Sequence, residues 1–146
     1  SYLRRKLRER GWDGPGEPDL ESLAEQFSGQ GYIDDASYAL AKSQALSSRG
    51  YGARRVEQSL RAAGVGEQDG EAARGFAAGQ SVEAALRFAR RRRIGPFGEG
   101  HADAKARERA LAAMIRAGHG FTVARAIVDL PPGAPVDELS VERGPD

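Results

Sequence analysis

The sequence contains no cysteine, a single Trp and a single Met in 146 residues. Without thiols, disulfides, thiolate metal sites and a cysteine nucleophile are excluded, and a cytoplasmic location is expected. Histidine is scarce as well. His101 and His119 lie in the glycine-rich stretches "GEGHAD" and "AGHG", without a metal-binding H-E-x-x-H frame. Both are expected to face solvent. No G-x-x-x-x-G-K-[ST] loop is present, so a nucleotide site of that kind is excluded. No apolar run approaches the length of a membrane span. The expectation is a non-enzymatic protein with no catalytic residue, metal or cofactor, and no membrane partner.

What is abundant is charge, at 29% Asp, Glu, Lys and Arg, against 40% hydrophobic residues. The net charge of +1 conceals an asymmetry. From Pro131 onward, Asp137, Glu138, Glu142 and Asp146 face only Arg143, a net of −3, so the body before the tail holds +4. Lys6, Lys42 and Lys105 are the only lysines; the other cations are arginines. Arginine suits bidentate contacts to carboxylate or phosphate, although a GC-rich genome also favours Arg, Ala and Gly codons. The acidic segment 131–146 is expected to be a disordered tail.

Helical periodicity dominates, and strand-like alternation is rare. The expected fold is all-α with no β-sheet. Leu3 and Leu7 open a helix that stops at Gly11, and Trp12 follows as an anchor between helices, with base stacking as the alternative role. Asp19 caps a helix bearing Leu20, Leu23, Ala24 and Phe27. Ala53, Val56, Leu60 and Ala63 share one face of a helix that stops at Gly64. The stretch "GEQDGEAARGFAAG" is weakly helical at best. Ser81 is placed to cap a helix with Val82, Ala85, Leu86 and Ala89 on one side. The last helices are expected from about Asp103 to Ala117 and from about Thr122 to Leu130.

The stretch "GYIDDASYA" (31–39) sets two carboxylates, Asp34 and Asp35, side by side. Adjacent residues diverge by about 100° around a helix, which argues against a shared catalytic role. Asp34 instead follows a glycine break and precedes a helical run ending near Ser47, the position of an N-cap. Asp35 then favours the positive end of the helix dipole. Tyr32 and Ile33 are the apolar lead-in that packs the loop onto the core.

Three stretches repeat a basic start, an apolar helical stripe and a glycine stop: "RRKLRERGW" (4–12), "RRVEQSLRAAGV" (54–65) and "RERALAAMIRAGHGF" (107–121). Gly11, Gly64 and Gly118 recur at intervals of just over fifty residues. This predicts an elongated tandem array of three-helix modules: 1–48, 49–98 and a partial third module at 99–130. Helix–glycine–apolar is also a general helix-stop pattern.

These residues resemble the RecX family of recombination regulatory proteins. "GYIDDASYA" resembles the family signature GYLDD-x-x-[FY]-A through Tyr32, Asp34 and Asp35. "SSRGYGARRVEQSLRAAGV" resembles its companion signature through Gly50, Gly52 and Gly64. "ALRFARRRRIGPFG" and "MIRAGHGFTVARAIV" are similar to later segments, so the resemblance runs from about Leu3 to Leu130. It implies a monomeric regulator without cofactor that binds the RecA–single-stranded DNA filament along its groove and represses RecA ATPase and recombination. It also implies DNA repair and SOS-response roles, weak or filament-dependent DNA contact, and a natural chain that begins upstream of Ser1.

Candidate contact residues are the surface cations: Arg4, Arg5 and Arg8, with Lys6 and Arg10, on the first helix; Arg54 and Arg61 on the helix from Ala53; and Arg87, Arg90, Arg91 and Arg92 on the helix from Val82. The alternative function is direct DNA binding by a helix-turn-helix type protein, since short helices joined at glycine turns with Arg-rich faces describe that class too.

Overall fold

The computed structural model describes residues 34–137. The first two expected helices, Gly11, Trp12, Tyr32, Ile33 and the cations Arg4, Arg5, Lys6, Arg8 and Arg10 lie outside the described residues. All regular structure among the described residues is helical: α1 (Asp35–Ser48), α2 (Ala53–Ala62), α3 (Glu71–Gly79), α4 (Ser81–Arg92), a 3-10 turn (Gly95–Phe97), α5 (Ala104–Arg116) and α6 (Phe121–Val128).

Asp34 caps α1. Its carboxylate accepts from the Ser37 N–H (3.1 Å) and from the Ser37 hydroxyl (2.7 Å). These bonds hold the Asp34 carboxyl below its ordinary range. Asp103 repeats the device at α5, accepting from the Ala106 N–H at 2.8 Å. Ser81 does not cap: it is the first residue of α4, and Gln80 occupies the cap position without a side-chain bond. Only Gln80 separates α3 from α4, so no loop exists in which a serine cap could turn.

Four helices end in one way. After α1, Tyr51 N–H donates to Leu46 O while Gly50 N–H donates to Ser47 O. The same pair of bonds joins Val65 to Leu60 and Gly64 to Arg61 after α2, Ile94 to Ala89 and Arg93 to Arg90 after α4, and His119 to Met114 and Gly118 to Ile115 after α5. These are Schellman motifs, which turn the chain through one left-handed residue and bury its successor. Glycine holds that position at Gly50, Gly64 and Gly118, whereas after α4 it falls to Arg93 at φ +57°. Gly64 and Gly118 thus share local geometry, but so do Gly50 and Arg93, and this ending does not distinguish the repeat.

Two buried clusters result. The first joins Tyr38, Ala39 and Leu46 of α1 to Val56 and Leu60 of α2 and Ala73 and Ala77 of α3. The second joins Val82, Ala85, Phe88 and Ala89 of α4 to Ile94, to Met114 of α5, and to Val123, Ala124, Ile127 and Val128 of α6. Tyr51 packs against both. Buried packing therefore joins helices across the positions 48/49 and 98/99.

α3 is a full helix where the sequence suggests little. Its support is tertiary, as is usual for short helices. Ala73 and Ala77 are buried against α1, whose Ser43 hydroxyl donates to Ala73 O at 2.7 Å. Arg74 bridges to Glu57 of α2 at 2.5 Å and to Glu67 O at 3.0 Å. The tail likewise starts in order: Gly133 N–H donates to Pro96 O at 2.9 Å and Val136 packs on the second cluster. The expected disorder therefore does not hold for 131–137, because the proline turn folds back on the 3-10 segment; 138–146 lie outside the described residues.

Candidate functional site: an arginine face around interlocked turns

Two Gly-x-Gly turns, Gly50-Tyr51-Gly52 and Gly118-His119-Gly120, meet face to face. Gly52 N–H donates to Ala117 O (2.8 Å) and Arg54 N–H to Gly118 O (3.1 Å). Amide donors that the start of α2 leaves unpaired thus meet carbonyls that the end of α5 leaves unpaired, and the opposed dipole ends attract. This explains why α2 carries no side-chain cap. It also explains Gly52, where a Cβ would sit 2.3 Å from Gly118 O.

His119 closes the joint. It is 3% exposed, and its Nε2 lies 2.8 Å from Gly50 O. A carbonyl only accepts, so the neutral ring carries its proton on Nε2. Burial holds the His119 pKa below the ordinary imidazole value, outweighing the Gly50 bond, which raises it. His101 is half-buried, with Nε2 at 2.9 Å from Val128 O at the end of α6. Neither histidine faces solvent as the sequence suggests, because each satisfies a backbone carbonyl left over at a turn or helix end.

The candidate arginines among the described residues lie on α2 and α4. Arg61 has a partner, Glu57, at 2.8 Å. Arg87 donates to Ser47 O at 3.1 Å and so caps the end of α1. Arg54, Arg90, Arg91 and Arg92 are exposed and form no ion pair among the described residues. Three of these guanidinium groups rest near aromatic rings: Arg90 is 4.6 Å from the Phe97 centroid, and Arg92 and Arg91 are 5.0 and 5.8 Å from that of Phe88. Such stacking limits rotamer freedom while leaving the N–H edge outward.

Two arginines that matter were missed in the sequence. Arg55 stacks on Tyr51 at 4.6 Å, and its Nη1 reaches to 3.5 Å from Arg116 O. With Arg92 and Arg116 it rims a hollow of about 230 Å³ whose walls include Tyr51 and Phe88. The small residues Ala113 of α5 and Ala117 just after it leave the space open. Each Arg sits near a Gly-x-Gly turn or a helix end, and only the interlocking of the turns brings them together. Elsewhere some cations are paired. Arg107 holds Asp129 through two bonds, 2.6 and 2.9 Å, and this pairing lowers the Asp129 carboxyl pKa. Among the described residues no group of three metal-ligating side chains gathers, and no helix is long and apolar enough to cross a membrane.

Comparison with known proteins finds a relative in the regulatory protein RecX of Myxococcus xanthus (strain DK1622), 31% identical over 116 residues, covering 77% of this chain. The chain spans 62% of that relative's length. No family model matches the chain, and no solved structure matches it. The signature "GYIDDASYA" with its capping Asp34, the Gly-x-Gly turn at residues 50–52 and this relative together make the chain similar to the RecX family of regulatory proteins.

Proposed function

We propose that this protein is a cytoplasmic, non-enzymatic regulator that binds the RecA–single-stranded DNA filament along its groove and represses RecA ATPase and recombination. The observation that carries this reading is a set of exposed arginines. Arg54, Arg90, Arg91 and Arg92 are exposed and unpaired among the described residues, on a chain similar to the RecX family. A set of weak cationic contacts suits a partner that repeats, because docking at one point raises the effective concentration for the next. A nucleoprotein filament offers such repetition and also offers phosphates. The division into modules 1–48, 49–98 and 99–130 belongs to this proposal, as does a monomeric state.

The test is a titration of RecA ATPase on single-stranded DNA. Increasing amounts of this protein should lower the rate at concentrations that leave bare DNA largely unbound at the same salt. Tight binding to bare DNA with an unchanged ATPase rate would instead favour the helix-turn-helix reading.

A further inference from the structure

We propose that the hollow between α2, α4 and α5 is a phosphate site, and that its occupant is a backbone phosphate of a single-stranded nucleic acid. This narrows the nucleoprotein reading above to one place and one chemical group. Arg55, Arg92 and Arg116 come from three helices and rim one space of about 230 Å³, with no carboxylate in its lining. Each is without an ion-pair partner among the described residues. A contrast lies on the other side of α2. There a hollow of about 540 Å³ is lined by Arg61 and Arg74 and by two carboxylates, Glu57, which pairs with both arginines, and Glu67. That site is electrically balanced; the first is not.

The form of the site selects the ligand. Arg55 and Arg92 lie over Tyr51 and Phe88 at 4.6 and 5.0 Å, so their planes are held; Arg55 Nη1 donates to Arg116 O, and the remaining N–H groups are available to a ligand. A carboxylate offers its acceptors in one plane. A phosphate distributes them around a tetrahedron and can take donors from three walls at once. The site is a half-open hollow, with buried Phe88 and Ala117 in its lining and exposed arginines at its rim. Duplex phosphates lie on a stiff cylinder, whereas a flexible single strand can turn one phosphate inward.

The experiment is fluorescence anisotropy across a salt series. The full chain is titrated into a labelled oligothymidylate and into an abasic deoxyribose-phosphate strand of equal length. Arg55→Ala, Arg92→Ala and Arg116→Ala should each weaken binding to both strands about tenfold. Because the three side chains hold one phosphate, the triple variant should be little worse than a single. Its slope of log affinity against log salt should flatten by about 0.7, the contribution of one single-strand phosphate. Additive losses with a slope change of about 2 would mean three separate surface contacts and would overturn the proposal. So would a triple variant that binds as wild type, a wild-type chain that binds neither strand, or equally effective displacement by an acidic peptide of matched charge. Circular dichroism checks folding. The triple Arg→Lys variant, which keeps charge but loses the planar fork, should also bind more weakly, so the proposal stays testable if the alanine variant does not fold. RecA ATPase on the same variants separates the two readings. Oligonucleotide binding through the pocket with no ATPase repression removes the filament reading alone. Repression with an unaltered triple variant removes the pocket alone.

Discussion

His119 and Gly50 are 69 residues apart in sequence, yet the imidazole Nε2 lies 2.8 Å from the glycine carbonyl in a buried joint. The ring is held neutral, with a pKa below its ordinary value. In the unfolded chain the same ring takes a proton below about pH 6.5. Between that pH and the lower folded value the unfolded state binds more protons, so stability falls as pH falls through this window. Thermal unfolding followed from pH 8 to pH 5 should show this loss. His119→Gln should flatten the His-dependent part of the profile, and His119→Ala should lower stability at pH 7.5 by about 2–3 kcal/mol through the unpaired carbonyl and the space left behind.

Gly52 and Gly75 should respond oppositely to alanine. A Cβ at Gly52 would overlap Gly118 O and the Gly118 carbonyl carbon at 2.5 Å, all backbone that moves only if the joint opens. Gly52→Ala should cost about 3 kcal/mol or more, a loss in the severe range for a single substitution. Gly75 lies inside α3 with nothing within 4 Å of the new methyl. Gly75→Ala should stabilise by about 0.5–1 kcal/mol through helix propensity alone. Urea unfolding of the two variants tests both signs.

Arg93 occupies the left-handed position of a Schellman motif at φ +57°, ψ +50°. A side chain there costs on the order of 1 kcal/mol relative to glycine. Arg93→Gly should raise the urea midpoint by a corresponding amount without changing the slope. An unchanged or lowered midpoint would show that the Arg93 side chain makes compensating contacts.

The exposed cations should act as a group. Single exposed contacts are worth about 1 kcal/mol or less. Arg54→Ala, Arg90→Ala or Arg91→Ala alone should change the half-inhibitory concentration for RecA ATPase by less than about fivefold. The triple variant should raise it by well over tenfold through lost avidity, and added salt should affect it less steeply than wild type. Arg61→Ala is the control: its guanidinium is already engaged by Glu57, and repression should be unchanged. Equal potency of triple variant and wild type would show these cations to be merely solvated.

What could be read from the sequence was what neighbours in the chain decide. Asp34 caps α1 through a residue three positions on, and Gly64 and Gly118 end helices through bonds to the preceding turn. Both follow local rules. α3 was not legible because its support comes from Ser43 and Glu57, on other helices. The arginine hollow was hidden for the same reason. Arg55 adjoins the apolar stripe of α2 and Arg116 lies in the last turn of α5. Nothing near either residue in the chain indicates that one would end beside the other. The two histidines were misjudged because glycine-rich surroundings suggest solvent, whereas here they mark turns packed against another helix end.

The joint between α2 and α5 is built from main chain: two amides meeting two carbonyls, with glycine removing any side chain between them. Main-chain contacts have no rotamers through which to adjust. A side-chain seam can slip by repacking, but this one is either made or broken. The angle at which α2 leaves α5 is therefore specified by peptide geometry rather than by the identity of the surface residues. Exposed residues whose side chains bond none of this main chain, such as Arg54, Arg90 and Arg91, can be exchanged without altering the frame that carries them. On the function proposed above, such a frame would work as a template of fixed pitch: a partner would have to present its anions at the spacing the frame dictates, and mismatch would be met by lost contacts rather than by accommodation.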